Sequence, residues 1–281
     1  MSKKNKYRKR AKATLFMSFL LVAFLVIISC STSETQTVAE FTELVMADEF
    51  STDGMLNSAI WDYEIGTGEN GWGNNELQYY TDRTENITVQ NGILIITALE
   101  ESFKGSSYTS ARIVTKGEQA YGRFEARIRL PYGQGIWPAF WLLGANCGPA
   151  VVWPQCGEID IMEYRGQEPT TIYGSVHGNG FSGGEAITKR YSLENDRFDT
   201  GFHVFGIEWA PEYINYYVDD VLYNQITPAD VPGEWVFNHP FKIIVNLAVG
   251  GNFVGAPNSE TVFPQTMLID YVRVYKNELI D

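Results

Sequence analysis

Through most of this chain apolar residues recur at every second position in short stretches that stop at Gly, Pro, Asn or Asp. That period sends successive side chains to opposite faces of an extended strand, whereas a helix needs a repeat near 3.6. "GRFEARIRLP" is the clearest instance: Phe124, Ala126, Ile128 and Leu130 face one way, and Glu125, Arg127 and Arg129 the other. Further strands are predicted in "ITVQNGILIITAL", "TIYGSVHG", "FHVFGIEWA", "FKIIVNLAV" and "MLIDYVRVYK". Asn91-Gly92 reads as a tight hairpin turn, and "YINYYVDDVLYNQI" breaks at Asp219-Asp220 into a second hairpin. No internal repeat, low-complexity block or interior linker divides the chain. Many strands without alternating helices imply one all-β domain, an antiparallel sandwich or jelly roll.

The first thirty residues follow another pattern. "KKNKYRKRAK" is a basic segment, "ATLFMSFLLVAFLVIIS" is apolar, and the run closes on Ser29-Cys30. This order reads as a lipoprotein-type signal peptide over residues 1–29, with Cys30 lipidated and residues 30–40 a polar tether. A permanent transmembrane anchor is the alternative, since the apolar run approaches spanning length. The expected location is outside the cytoplasm, lipid-anchored to a bacterial membrane and facing the periplasm or the cell surface. Membrane contact would run only through that anchor.

Removing the leader changes the charge. The whole chain carries 21 basic and 34 acidic residues, but seven of the basic ones lie in the first twelve positions. The remainder has 14 basic against 34 acidic residues, net −20. Such a surface repels nucleic acid and anionic membrane and is better matched to a neutral partner. Aromatics make up 14% of the chain, a content that suits sugar binding and a β-sandwich core equally well. Cys147 and Cys156, with eight residues between them in an exported protein, read as a disulfide, with two free thiols as the alternative.

"GEIDIMEY" sets Glu158, Asp160 and Glu163 into an otherwise apolar run, where ionised carboxylates are costly unless partnered. On a strand, Glu158 and Asp160 share a face, and strict alternation would turn Glu163 to the opposite one. A β-bulge at Ile161-Met162 restores Glu163 to the acidic face. Two carboxyl groups about 5–5.5 Å apart are what a retaining glycosidase uses as nucleophile and acid/base. The glutamate backbones stand about 13 Å apart along a strand, so their side chains must lean together. Shared negative charge would raise the pKa of the group that starts protonated. An exposed acidic edge strand and a calcium site are the other readings of the same spacing. Trp137 and Trp141 fall on one strand face, and with Trp72 they could line a sugar groove, core packing being the other reading; Gly and Pro beside Trp137, and Gly and Asn around Trp72, favour loop or rim positions. His177, one of three histidines, reads equally as a site residue or a structural imidazole.

"GEIDIMEYRGQEP", "GIWPAFWLLG", "WGNNELQYYT", "SARIVTKG", "YGSVHG" and "NLAVGGNF" together resemble glycoside hydrolase family 16, in particular its bacterial endo-β-1,3-glucanases, the laminarinases. The resemblance implies a jelly roll of two curved antiparallel sheets and a catalytic domain over residues 41–277. It implies retaining cleavage of β-1,3-glucan, with mixed-linkage β-1,3-1,4-glucan a further substrate, by a monomer that needs no cofactor for catalysis. Glu158 would be the nucleophile, Glu163 the acid/base and Asp160 the assisting carboxylate, with His177 near the reacting sugar. Trp137, Trp141, Asn74, Trp72 and Arg112 would bind substrate. Glu49, the Gly92 carbonyl and Asp270 would hold a structural calcium. "GANCGPAVVWPQC" departs from the family pattern and is expected to reshape a cleft rim. A non-catalytic, lectin-like glucan-binding module and an enzyme of other linkage preference are the alternatives.

Overall fold

The computed structural model describes residues 41–276; the expected signal segment and the whole of the tether, Cys30 included, lie outside the described residues. The chain opens with β1 (Glu43–Asp48), β2 (Trp61–Tyr63), β3 (Gln78–Tyr80) and β4 (Ile87–Gln90). It continues through β5 (Ile93–Phe103), β6 (Ser106–Ser110), β7 (Arg112–Thr115), β8 (Gly122–Arg129) and β9 (Ile136–Gly144). Next come β10 (Glu158–Tyr164), β11 (Thr171–His177), β12 (Ile187–Ser192) and β13 (His203–Ala210). β14 (Tyr213–Val218), β15 (Val221–Ile226), β16 (Phe241–Val249) and β17 (Gln265–Lys276) complete it. Helical turns are confined, among the described residues, to Gly71–Asn75 and Gly183–Glu185.

The strands form a β-jelly roll of two sheets. One runs β12-β11-β10-β9-β16-β7-β2; the other runs β15-β14-β13-β8-β17-β5-β6-β3, with β1 joined to β17 and β4 to β5. Pairing is antiparallel except between β3 and β6, which run parallel. The two expected hairpins are present. Asn91 and Gly92 (φ 54° and 75°) join β4 to β5, and Asp219 and Asp220 (φ 49° and 62°) join β14 to β15. Both central residues of each turn are left-handed, the geometry whose twist matches the flanking strands.

The alternation seen in the sequence becomes the core. Phe124, Ala126 and Ile128 of β8 and Phe205 and Ile207 of β13 point inward from one sheet. They meet Phe140 and Leu142 of β9, Ile159 and Ile161 of β10, and Val245 and Leu247 of β16 from the other. Fully burying one such large side chain stabilises by about 1.5–3 kcal/mol. The seven-stranded sheet therefore has its inner face fixed by packing and its outer face free to carry chemistry.

Candidate active site

β10 carries the three carboxylates, and its register departs from regular pairing where the spacing requires it. On β9, Asp160 pairs with Trp141 and Met162 with Phe140, so two steps on β10 match one on its neighbour. Against β11 the slip lies between the Asp160–Ser175 and Glu163–Tyr173 pairs. The extra residue sends both Ile161 and Met162 into the core, at 1% and 0% exposure, and turns Glu163 outward beside Glu158 and Asp160. A bulge of this kind re-aims one side chain without unpairing the strand on either side.

The outward face floors a cleft of about 510 Å³. β9 contributes Trp137, Ala139 and Trp141, β11 His177, β16 Asn246 and β7 Arg112. Trp137 is a strand residue on the cleft floor, 8% exposed, and not a rim residue as the neighbouring Gly and Pro suggest. Its indole stays covered because Phe253 packs on it at 5.2 Å between ring centres. Trp137 Nε1 donates to Glu163 Oε1 (3.1 Å) and Trp141 Nε1 to Asn246 Oδ1 (2.8 Å).

At the other end of the row, His177 stands directly across from Glu158. Its Nδ1 accepts the Gly183 N–H at 3.1 Å, which leaves Nε2 to carry a proton. Nε2 lies 3.0 Å from Asp160 Oδ2 and 3.6 Å from Glu158 Oε1. Burial alone would lower the His177 pKa, but Asp160, with Glu158 and Glu163, outweighs it and pushes it up to about 9. The Gly183 N–H aimed at Nδ1 opposes that rise, since a second proton there would meet another hydrogen.

Both glutamates are held above the usual carboxylate range. For Glu158 the cause is burial, then the charge of Asp160, against which His177 and the Trp153 N–H pull; it is raised to about 7. Glu163 is raised well above its ordinary value by burial and by Asp160, with a lesser pull from His177. Burial and the charge of Asp160 thus raise both end carboxyls, so a carboxyl in this cleft can hold a proton where an ordinary one would be ionised. A carboxyl held protonated in this way is what a general acid requires.

Beside the row, the loop Gly71–Asn75 presents Trp72 with left-handed backbone at Asn70, Trp72 and Asn75 (φ 50°, 53° and 56°). For a tryptophan this geometry is strained, and strain of this kind gathers at functional sites. Gly68 is required here, because a Cβ on it would stand 2.7 Å from the Trp72 ring. The Arg112 guanidinium lies 4.3 Å over Trp72 and 4.9 Å over Trp141, while its Nε binds Glu64. Arg112 therefore braces two rings as well as lining the cleft. Asn74 is also in the lining, its carbonyl accepting the Asn252 N–H at 2.8 Å.

Cys147 and Cys156 are joined by a disulfide, S–S 2.03 Å. Glu49, Gly92 and Asp270 come from segments that converge on one point of β17. Ile269 and Tyr271 pair with consecutive residues of β8, which makes Asp270 the bulged residue. Leu94, two residues past Gly92, pairs with Ile269, and Asp48 pairs with Val272. The carboxylates themselves have arginine partners, Glu49 with Arg273 (2.7 and 2.8 Å) and Asp270 with Arg127 (2.6 Å). Among the described residues, Glu158, Asp160 and His177 bring three potential ligand atoms within 4.8 Å of one another. An imidazole N–H in that set suits proton chemistry better than calcium, which takes oxygen ligands.

Several lining residues escape sequence reasoning. Asn246 had a signal, as a polar residue inside the apolar run of β16. Glu76 also lines the cleft, where Gln78 Nε2 and Tyr80 Oη donate to it at 2.6 and 3.0 Å. Arg165 and Phe253 stack on each other at 4.2 Å beyond Glu163. Trp153, from the cysteine-bearing loop, has only its aromatic type to flag it.

Residues 69–273 match the family described as Glycosyl hydrolases family 16. The chain is 41% identical over 284 residues to a beta-glucanase of Rhodothermus marinus, covering 96% of both. The solved catalytic domain of an endo-1,3-beta-glucanase (laminarinase) from Thermotoga petrophila is similar at TM-score 0.81 and 47% identity, over 86% of this chain and all of that one. A LamA variant from Z. galactanivorans, in complex with laminaritriose and laminaritetraose, is similar at TM-score 0.73 and 31% identity, over 84% of this chain and 100% of that one.

Proposed function

The chain belongs to glycosyl hydrolases family 16, and on that premise we propose that it is a retaining endo-β-1,3-glucanase acting on laminarin-type glucan. The observation that carries this reading is the row of Glu158, Asp160 and Glu163 on the cleft floor, brought to one face by the bulge. Relatives described as beta-glucanase and laminarinase support the substrate class.

In the proposed reaction Glu163, protonated, gives its proton to the glycosidic oxygen while Glu158, ionised, attacks the anomeric carbon from the opposite face. The C–O bond breaks, the leaving chain departs with the proton, and a glycosyl ester forms on Glu158. Glu163, now a carboxylate, takes a proton from water, which attacks the same carbon and releases Glu158. Two inversions return the β configuration. Asp160, 3.0 Å from the protonated Nε2 of His177, holds that charge network in place between the two glutamates. Trp137 orients Glu163 through its indole N–H.

Two finer parts belong to the same proposal. A structural calcium would sit at the Asp270 bulge, on the Gly92 and Glu49 segments, where Arg127 and Arg273 now hold the carboxylates. Lipidation of Cys30 would tether the domain to a membrane; membrane fractionation of Cys30→Ala against the parent chain tests it. For the enzyme itself the test is product analysis on laminarin, lichenan, agarose and carrageenan, with proton NMR of the first products. Rapid oligosaccharide release from laminarin with β configuration is expected. Initial α product, or reducing ends from none of the four, would overturn the reading and favour a glucan-binding module.

A further inference from the structure

The loop between β9 and β10 is the part of the cleft wall that the family reading leaves unassigned. It leaves β9 at Gly144, returns at Gly157, and is closed at its base by the Gly144 N–H donating to the Gly157 carbonyl (3.1 Å). Inside, its backbone bonds are short-range: Gly148 to Val151, Gln155 to Val152 and Gly157 to Pro154, at 2.9, 2.9 and 3.0 Å. Among the described residues, only Ala145, bonded to the Pro240 carbonyl at 2.9 Å, ties the loop's backbone to a distant segment. The Cys147–Cys156 bond crosses the loop and fixes it to a buried anchor, since Cys156 is 0% exposed and lies two residues before Glu158.

Trp153 projects from this strap. It is 45% exposed, so core packing does not explain a tryptophan here. Its Nε1 donates to Glu158 Oε2 at 3.0 Å, and its ring centre lies 5.9 Å from that of His177. Glu158 is therefore contacted by an N–H donor on one oxygen and approached by His177 Nε2 at 3.6 Å on the other. A hydrogen bond to the charged form of a carboxylate favours that form.

We propose that Trp153 is a positioning residue for the nucleophile, holding Glu158 ionised and aimed at the sugar, and that the Cys147–Cys156 disulfide latches it there. The indole N–H fixes Glu158 Oε2, leaving Oε1 toward His177, and the open ring face walls the cleft against substrate. This rests on the assignment of Glu158 as nucleophile. Reduction of the latch would free the loop to carry Trp153 away, so the enzyme gains a dependence on an oxidising environment through a bond that takes no part in the chemistry.

The test uses the full chain and the pH dependence of kcat/KM on laminarin, which reports groups of the free enzyme, the state in which this hydrogen bond is seen. Trp153→Phe keeps a ring and removes the donor. Its acidic limb should move upward by roughly half to one pH unit, with a loss of about three- to tenfold below the limb and little at its plateau. Trp153→Ala should show the same displaced limb and a KM several-fold higher. Cys147→Ser/Cys156→Ser should reproduce that displacement, as should dithiothreitol on the parent enzyme, and dithiothreitol should not affect the serine pair. A Trp153→Phe profile superimposable on the parent's would overturn the positioning role. A fully active, unshifted enzyme after verified reduction would overturn the latch. If the serine pair fails to fold, the phenylalanine variant and the reductant arm still decide. A parent enzyme inactive on laminarin would refute the underlying assignment instead.

Discussion

The carboxylates in the cleft should cost the fold stability, and Glu158→Gln measures how much. A carboxyl whose pKa is raised on folding holds its proton more firmly in the native state than in the unfolded chain. Native stability then falls as pH climbs from the ordinary value of 4.5 through about 7, and below 4.5 no difference remains. Glutamine cannot ionise and escapes this loss. With the Glu158 side chain 17% exposed, the full elevation would correspond to about 3 kcal/mol above pH 7, at about 1.36 kcal/mol per unit. His177 offsets part of it. Its pKa, raised to about 9 chiefly by Asp160 and then by Glu158, contributes stability present below 6.5 and lost through 9, and removing Glu158 weakens that contribution. A net gain of about 1–2 kcal/mol at pH 8 follows, or about 2–8 °C in Tm for a domain of this size. Thermal unfolding of parent and variant at pH 4.5 and pH 8, followed by near-UV circular dichroism, reads it directly. The same variant should lose nearly all turnover. A gain equal at both pH values, or none at pH 8, would refute the reasoning, because neither can come from an ionisation.

Deleting Met162 should abolish activity and lower stability by about 2–5 kcal/mol, since it removes a fully buried side chain and turns Glu163 toward the core; denaturant unfolding together with laminarin assays checks both. Glu163→Gln should lose laminarin hydrolysis yet release an aryl leaving group from a β-glucoside of suitable length at a rate much closer to the parent's, because that group needs little protonation; stopped-flow absorbance distinguishes the two steps. If calcium binds at the Asp270 bulge, a chelator should lower Tm and excess calcium restore it, with no loss of turnover at temperatures where the protein stays folded.

The strand pattern carried most of the fold. β8, β13 and β16 are legible because one face is apolar and each run ends at a turn residue, and both hairpins announce themselves by residues that tolerate left-handed backbone. Strand order is another matter. Nothing local in "FKIIVNLAV" says that β16 lies between β9 and β7, since that pairing joins distant segments and is decided by packing of the whole sandwich. The parallel contact of β3 with β6 is hidden for the same reason. Within the site, the acidic row and its bulge follow from spacing because a buried carboxylate is expensive and a strand has only two faces. Trp137 was misplaced because Gly and Pro beside it resemble a loop, whereas Pro138 is accommodated within β9 opposite Leu247. Trp153 and Glu76 gave too little signal: one sits in a loop without periodicity, the other in a stretch whose left-handed turns cancel any alternation.

The division of labour between the two sheets has a practical side. Every strand side chain in the cleft lining comes from the seven-stranded sheet, and the ten-stranded sheet lends none. A variant library spread over β10 would be mostly dead, since each of its residues either fills the core or lines the cleft. The edge strand β15 of the ten-stranded sheet, where Val221 and Leu222 are each 51% exposed, can be rewritten freely by comparison. Coupling the protein to a bead, recolouring it with a fluorophore or changing its solubility are all best done there, with the working face left looking out into solution.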